Sequence, residues 1–408
     1  MNKKEFLDLL QTHLTNLSKD DVQDILYDFN EHFDNGALSG ETEEQITAKL
    51  GDPLEIAQEL CSIHPTVSTD PEEPAHATKE SISSTTGERT TFNGAEINEL
   101  HIDTNIYDIT VTSTPFEEIT IECSSSHQPS IKVAGDVLQC VSTHKSKLFF
   151  SFFNKTLYPE LHIGIPSSGL KTLLIQTASG DVKLKQLTVE KVSLTSTNGD
   201  TTLNKVHCGH LTIKSQHGDI ALQNSSMDDS SIHAHHGDLS LNDLTLSSSE
   251  AKVVYGDIDV SDVTAKEVVL ATTHGDIEIN DVTCAVIKCN SRHGDISLRH
   301  SHLASLHAET VSGCIEAQGN IERFQLQSIS GDLRIEPHSL EQEAAATTVS
   351  GDIAVKVSSI PENTVIKAST LHGDCTIFKQ KTSLFENGNH LNKVLFETVN
   401  GDIQVKAK

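Results

Sequence analysis

The stretch HGDIEINDVTCAVIKCNSRHGD, residues 274–295, holds one complete repeat between two Gly-Asp pairs. The glycine of this pair recurs every 19 residues from Gly180 to Gly313, and more loosely spaced copies follow. The twelve glycines of the series are Gly180, Gly199, Gly218, Gly237, Gly256, Gly275, Gly294, Gly313, Gly331, Gly351, Gly373 and Gly401. A fixed short period predicts stacked units, because a single unit of this size cannot bury its own apolar face.

Each repeat has two places where apolar and polar residues alternate, which is the spacing of a β-strand. In residues 257–275, Ile258 and Val260 form the first place, and Val268 and Leu270 form the second. Two strands and two corners favour one solenoid coil, since a propeller blade needs roughly 40 residues. We therefore predict a parallel β-solenoid of the single-stranded β-helix type, with about 19 residues per coil, after a small helical bundle. The hand of the coil stays open.

The Gly-Asp pair predicts a corner. Glycine readily adopts positive φ, and aspartate can fold its carboxylate onto nearby backbone N–H groups in an Asx-type turn. Cys314 replaces the aspartate once, and the aspartates are Asp181, Asp200, Asp219, Asp238, Asp257, Asp276, Asp295, Asp332, Asp352, Asp374 and Asp402. A ladder of Ca²⁺ ions is the alternative. It ranks lower, because calcium-binding solenoids carry several aspartates per short turn, whereas this repeat has one Gly-Asp pair per 19 residues. We predict a structural turn column and no metal.

The residue before each glycine forms a second column. Its members are Ser179, Asn198, His217, His236, Tyr255, His274, His293, Ser312, Ser330, Ser350, His372 and Asn400. Asparagine and histidine tolerate unusual turn dihedrals, so this column predicts a turn surface. Histidines can also bind transition metals or titrate near neutral pH. No carboxylate or thiol recurs at a matching offset, so the metal interpretation ranks second.

Composition limits the class of partner. The chain has 408 residues and a formal net charge of −28, which opposes nucleic-acid phosphates and anionic lipids. A basic protein surface is therefore the predicted partner. None of the eight cysteines forms a C-x-x-C pair, so we expect buried free thiols and no cofactor. The sequence shows neither a signal core nor a membrane-length apolar run, so we expect a cytoplasmic location, with peripheral envelope association as the alternative.

Residues 1–62 predict a compact helical module. Thr42 and Gln45 form a capping-box pair, and Gly51 ends the helix that follows them. An acidic second helix is expected to face a basic partner through Asp21, Asp24, Asp28 and Glu31. Residues 63–90, rich in Pro, Ser and Thr, predict a linker to the β region.

Residues 91–170 lack the strict period and predict an irregular β region that begins and caps the solenoid of residues 171–408. A first coil needs such a cover. The segment also contains a cluster of four phenylalanines, Phe149, Phe150, Phe152 and Phe153. A cap is the preferred interpretation of this cluster, and a surface for a partner or a membrane is the alternative.

Two family resemblances are carried by specific strings. ILYDFNEHFDNGALSGETEEQITAKLGDPLEIAQEL, residues 25–60, closely resembles the HAAS/DUF1700 helical signalling domain of Gram-positive bacteria. The resemblance implies a signalling module of a kind often linked with PadR-type transcription regulators. INELHIDTNIYDITV (residues 97–111), LHIGIP (residues 161–166) and the SGD or NGD corners resemble the DUF4097 repeat family, often labelled "putative adhesin". That resemblance implies a link to the cell-envelope stress response.

The residues carry no recognisable catalytic motif: H-E-x-x-H, Walker A and G-x-S-x-G are all absent from the sequence. We therefore expect a non-catalytic protein-interaction or signalling protein, with a transcription regulator or an envelope-stress component as partner. A structural or adhesive solenoid at the cell surface is the alternative. A carbohydrate-active β-helix enzyme ranks last, because the exposed positions are repetitive Ser, Thr, Asn and Lys.

Overall fold

The computed structural model describes residues 1–14, 22, 25–26, 29–30, 33, 42–54, 56–57, 89–124, 128–142, 158–167, 169–340 and 343–408. The chain divides into two compact units. One comprises Met1–Thr85 and His144–Leu157, and the other comprises Thr86–Thr143 and Tyr158–Lys408. None of the described helices is both long and apolar enough to cross a membrane.

The helical unit contains α1 (Lys3–His13) and α2 (Glu43–Leu50). The predicted capping box of Thr42 and Gln45 begins α2, and Gly51, with φ 92°, ends it. Both predictions are confirmed. The ring of Phe6 packs against those of Phe29 and Phe33, with centroids 5.5 and 5.6 Å apart. This aromatic contact is the centre of a small apolar core.

The β unit is one continuous sheet wound into coils. Its first strands are β1 (Thr90–Asn93), β2 (Glu99–Thr104), β3 (Asp108–Thr114), β4 (Glu118–Cys123), β5 (Ser130–Ala134), β6 (Val137–Val141), β7 (Glu160–Pro166), β8 (Thr172–Ser179), β9 (Val182–Lys185), β10 (Thr188–Asn198), β11 (Thr201–Asn204), β12 (His207–His217), β13 (Ile220–His236) and β14 (Leu239–Tyr255). The remaining strands are β15 (Ile258–His274), β16 (Ile277–Asn280), β17 (Thr283–His293), β18 (Ile296–Ser312), β19 (Ile315–Ser330), β20 (Leu333–Pro337), β21 (Ala344–Ser350), β22 (Ile353–Val357), β23 (Thr364–His372), β24 (Cys375–Ile377), β25 (Gln380–Lys381), β26 (Leu384–Asn387), β27 (Asn392–Asn400) and β28 (Ile403–Ala407). A short 3₁₀ helix covers Gly94–Glu96.

In the regular middle of the solenoid, successive coils pair in parallel with a shift of 19 residues, so that each side chain lies beside its repeat equivalent. Leu203 pairs with Leu222, and Leu222 pairs with Leu241. Alternate residues of each strand point inward, and the apolar ones form continuous buried columns. The predicted β-solenoid is therefore confirmed, and its core is a stack of Val, Ile and Leu layers.

A second corner in seven of the coils uses residues other than glycine. They adopt left-handed φ between 50° and 57°, and they are Gln186, Lys205, Asn224, Asp243, Asp262, Asp281 and His300. All are exposed. An inward residue follows each of them, such as Leu187 or Val206, and anchors the turn in the core. The Gly-Asp corner and this left-handed corner together separate the strands of a coil.

The N-terminal end of the solenoid begins one coil earlier than the glycine series. β2 pairs in parallel with β8, and β3 pairs with β9, so residues 99–114 form a coil in register with residues 172–185. Tyr107 and Asp108 occupy the corner there. β6 and β7 stack on the outer side of that coil. β1, β4 and β5 then pair in antiparallel fashion with β4, β7 and β6 respectively.

The C-terminal coils do not stack in sequence order. β27 and β28 lie between the coil of β21 and β22 and the coil of β23 and β24. The predicted succession of glycines therefore needs one correction: Gly401 precedes Gly373 in space. β25 and β26 pair antiparallel with β24 and β23 at this end.

Candidate functional site

A ladder of hydrogen bonds links the corner aspartates along the solenoid. The Oδ1 atom of each carboxylate except that of Asp374, in the last coil, accepts a bond from the backbone N–H of the next corner residue, at 2.7–3.0 Å. The first acceptor is Asp108, which binds the N–H of Asp181 at 2.8 Å. Near the C-terminal end the ladder runs from Asp332 to Asp352, Asp402 and then Asp374. Every such carboxylate therefore joins two coils.

This geometry differs from the Asx-type turn expected from the sequence. The donor to each Oδ1 comes from the neighbouring coil, 19 residues later in the regular repeats, rather than from the same turn. The reason is the close approach of successive corners. A Cβ added to Gly256 would lie 2.1 Å from the carbonyl oxygen of Gly237. Because successive corners lie this close together, the short aspartate side chain of one corner reaches the backbone N–H of the corner in the next coil.

Hydroxyl groups on the inner side of the solenoid also donate hydrogen bonds to the Gly-Asp corner. In the C-terminal coils a Ser or Thr, three residues before the glycine and buried in all but the last coil, donates to the carbonyl oxygen of the adjacent corner glycine. These donors are Thr272, Ser291, Thr310, Ser328, Thr348, Thr398 and Thr370, at 2.9–3.1 Å. In the described part of earlier coils, the hydroxyls of Ser196 and Ser215 are buried without a partner. Sequence reasoning missed this column, although a recurring Ser or Thr at that offset signals it.

Cys314 interrupts the ladder. Its N–H still donates to Asp295 Oδ1 at 2.7 Å, but its thiol offers no carboxylate to the next coil. The N–H of Asp332 is consequently without an acceptor among the residues that the structure describes. This is a local defect in an otherwise regular corner.

We expect Cys314→Asp to raise the free energy of unfolding by about 1 kcal/mol, since it supplies a charged acceptor to the N–H of Asp332. Repulsion between the new carboxylate and those of Asp295 and Asp332 reduces this gain, but neighbouring aspartates elsewhere in the column repel each other in the same way. Chemical denaturation of the full chain measures the effect. Cys314→Asn should keep part of the gain, and Cys314→Ala should give none. Equal stability of the Asp and Ala variants would contradict the assigned role of the ladder.

The column before the glycines forms a stack of aromatic rings. His217, His236, Tyr255, His274 and His293 lie face to face, with successive centroids 5.0, 4.8, 4.8 and 5.0 Å apart. Partial desolvation, with the neighbouring imidazoles of His235 and His217, lowers the pKa of His236. Parallel stacking directs the ring faces at one another, so their nitrogen atoms do not converge. Within the described ranges no three His, Cys, Asp or Glu side chains come close enough to hold a metal ion.

Burial suppresses the reactivity of several thiols. Burial raises the pKa of the Cys289 thiol to about 12, and burial together with the nearby Asp228 raises that of Cys208 to about 11. The thiolate is the reactive form of cysteine, so these thiols stay protonated at neutral pH. None of the cysteines that the structure describes forms a disulfide bond.

Two groups of predicted contact residues lie outside the described residues. They are the acidic set Asp21, Asp24, Asp28 and Glu31, and the aromatic set Phe149, Phe150, Phe152 and Phe153. Both stay predictions. The structural turn column, by contrast, is brought into one continuous line along the solenoid.

The comparisons with families agree with the two resemblances. The Toastrack DUF4097 profile matches residues 97–264 and 255–406, together well over half of the chain. The HAAS profile matches residues 5–59. No curated protein is significantly similar to the chain.

Three solved structures are similar to the chain at low identity. A putative adhesin from Bacteroides fragilis is 16% identical, with 67% of this chain and 98% of that chain covered and a TM-score of 0.31. A putative lipid binding protein from Parabacteroides distasonis is 16% identical, with 60% and 93% covered and a TM-score of 0.35. A putative cell adhesion protein from Clostridium sporogenes is 11% identical, with 79% and 100% covered and a TM-score of 0.20.

Proposed function

Because the chain belongs to the Toastrack DUF4097 family, we propose that it is a non-catalytic protein-interaction protein that joins a HAAS signalling module to a rigid solenoid. The observation that carries the proposal is the aspartate ladder. The corner aspartates are the titratable residues that recur most regularly in the sequence. Their Oδ1 atoms accept hydrogen bonds from backbone N–H groups of the next coil. Their repetition is thus explained by coil stacking, without invoking a reaction.

The proposed roles divide between the two parts of the chain. Residues 1–62 recognise a basic protein surface, through the acidic residues predicted on their second helix. The solenoid acts as a platform whose exposed faces repeat at a constant spacing. A link to the cell-envelope stress response, through a transcription regulator or another envelope component, rests on the family resemblances alone.

We expect affinity capture with the full chain to recover a partner that a chain lacking residues 1–62 does not recover. Capture by the helical module should weaken as salt rises, because exposed charges are screened beyond roughly 8–10 Å. The matched variant replaces Asp21, Asp24, Asp28 and Glu31 with their amides and should lose the same partner. Recovery of that partner by the chain lacking residues 1–62 would place recognition on the β unit and contradict the proposal.

The second candidate function is a structural or adhesive role at the cell surface, favoured by the long exposed sheet faces. Cell fractionation separates the two functions. A cytosolic pool that engages a regulator supports signalling, and surface exposure of the solenoid in intact cells supports adhesion.

A further inference from the structure

Antiparallel pairing is confined to the two ends of the described solenoid. At the N-terminal end β1, β4 and β5 pair antiparallel with β4, β7 and β6, and at the C-terminal end β25 and β26 pair antiparallel with β24 and β23. The coils between these ends pair in parallel. A reversal of strand direction therefore marks each end of the coil stack.

At the C-terminal end the last coil is covered by the chain that leaves it. After β24 the chain turns at Phe378 and Lys379, whose φ values of 48° and 69° are both left-handed, as in a two-residue hairpin loop. β25 then runs back along β24, and β26 runs back along β23. We call residues 378–387 the lid.

The lid closes the end of the apolar core. The rings of Phe378 and Phe385 contact each other edge to face, with centroids 4.8 Å apart and planes at 72°. Both rings pack against the core of the solenoid. Phe385 lies opposite Ile366 of β23, which is fully buried. The lid thus supplies the apolar layer that a further coil would otherwise provide.

An ammonium group of the lid occupies the last carboxylate of the aspartate ladder. In a further coil Asp374 would accept a backbone N–H, as each earlier carboxylate of the ladder does. Lys381 Nζ lies 2.9 Å from Asp374 Oδ2 instead. The terminal carboxylate therefore has a partner within its own chain.

The lid exchanges a long strand edge for short ones. Without it, the outer edge of β23 would be open along nine residues. The outer edges that remain belong to β26 and β25, with four and two residues, and the lid exposes the charged side chains of Lys379, Lys381 and Glu386. Long open edges pair with other chains, whereas short edges beside charged side chains resist pairing. The lid does not cover the corner between β23 and β24, where Leu371 is 72% exposed, but the bend there interrupts the edge.

We propose that the lid is an autoinhibitory contact that keeps the solenoid from associating through its C-terminal end. An opened last coil would present to a neighbour the backbone groups that each inner coil presents to the next. A second opened copy of this chain is the partner that fits, because the closed ends offer only short edges. The N-terminal end stays closed by its own antiparallel strands, so association should stop at two chains joined edge to edge through β23.

Sedimentation velocity and hydrogen exchange of the full chain test the proposal. The opened variant combines Phe385→Ser, which removes the ring contact with Phe378, and Lys381→Glu, which places a carboxylate beside Asp374. We expect β26 to lose its protection and the mean particle mass to double as concentration rises, whereas the unaltered chain stays monomeric. Leu384→Ser, on the outward side of the same strand, is the matched control and should change neither result.

A reversible lock assigns the effect to the lid. Val365 and Glu386 are opposite each other on the outward side of β23 and β26. Opposite positions of an antiparallel pair are within the reach of a disulfide bond. In the opened variant, Val365→Cys with Glu386→Cys should abolish association when oxidised and permit it when reduced. Protection of β12–β17 should be the same in every variant, which distinguishes lid opening from general unfolding.

An opened variant that remains monomeric, or an oxidised chain that associates as strongly as the reduced one, overturns the proposal. So does a β26 that keeps its protection in the opened variant, because the named contacts then do not hold the lid. Growth beyond two chains would also contradict it, since the N-terminal end is still closed.

Discussion

Replacing Gly256 with valine is expected to lower the free energy of unfolding of the solenoid by about 3–5 kcal/mol. A Cβ on Gly256 would lie 2.1 Å from the carbonyl oxygen of Gly237 in the neighbouring coil. The coils cannot simply separate, because the Gly256 N–H also donates to the carbonyl oxygen of His274 on its other side, at 2.9 Å. Denaturation combined with hydrogen exchange is the measurement, since long repeat arrays can unfold in several steps.

Two further variants isolate the cause. Gly135 also has positive φ, at 66°, but an added Cβ would meet nothing within 4 Å. Gly135→Val should therefore cost only the backbone strain, about 1–2 kcal/mol. His274→Ala should cost about 1 kcal/mol or less, since it removes ring stacking at the surface. A cost at Gly256 no greater than that at Gly135, or clear stabilisation of the unaltered chain by Zn²⁺ or Ni²⁺, would contradict this account of the corner.

The fold could be predicted because the residues that form its strands and corners recur at a fixed interval in the sequence. Alternating apolar residues such as Ile258 and Val260 indicate strands, and a glycine at a fixed interval indicates the close corner. The same argument located the structural turn column. It could not identify the acceptor geometry of the aspartates, because the donor lies in another coil and depends on the distance between coils.

The ends of the solenoid were harder to predict than its middle. Tyr107 takes the place of a corner glycine in the first coil, where its carbonyl oxygen would lie 2.2 Å from a Cβ on Gly180. Of two adjacent corners, only the later one needs a glycine, because its Cβ would meet the carbonyl oxygen of the earlier one. The first coil holds the earlier corner of its pair, so it does not need a glycine there. No periodicity reveals such a position.

The exchanged order of the last coils has a visible cause in one buried column. Phe396 in β27 is fully buried and pairs with Ala346 on one side and with Ala368 on the other. A large side chain between two small ones fills the core, whereas direct stacking of β23 on β21 would bring the two alanines together. Alternation of large and small residues across facing positions is how layers interdigitate. Packing, rather than chain order, thus places β27 second to last.

We expect Phe396→Ala to lower the free energy of unfolding of the C-terminal coils by about 3–5 kcal/mol, because it leaves a cavity among three consecutive alanines. Hydrogen exchange of β23 and β24 should rise most, since both strands pair only through β27 and β28 with the rest of the described solenoid. Leu395→Ala, at the adjacent outward position, is the matched control and should cost little. Ala368→Leu in the Phe396→Ala background should restore part of the loss by refilling the same column. If Phe396→Ala costs no more than Leu395→Ala, or if β23 keeps its protection, then this column does not fix the order of the last coils.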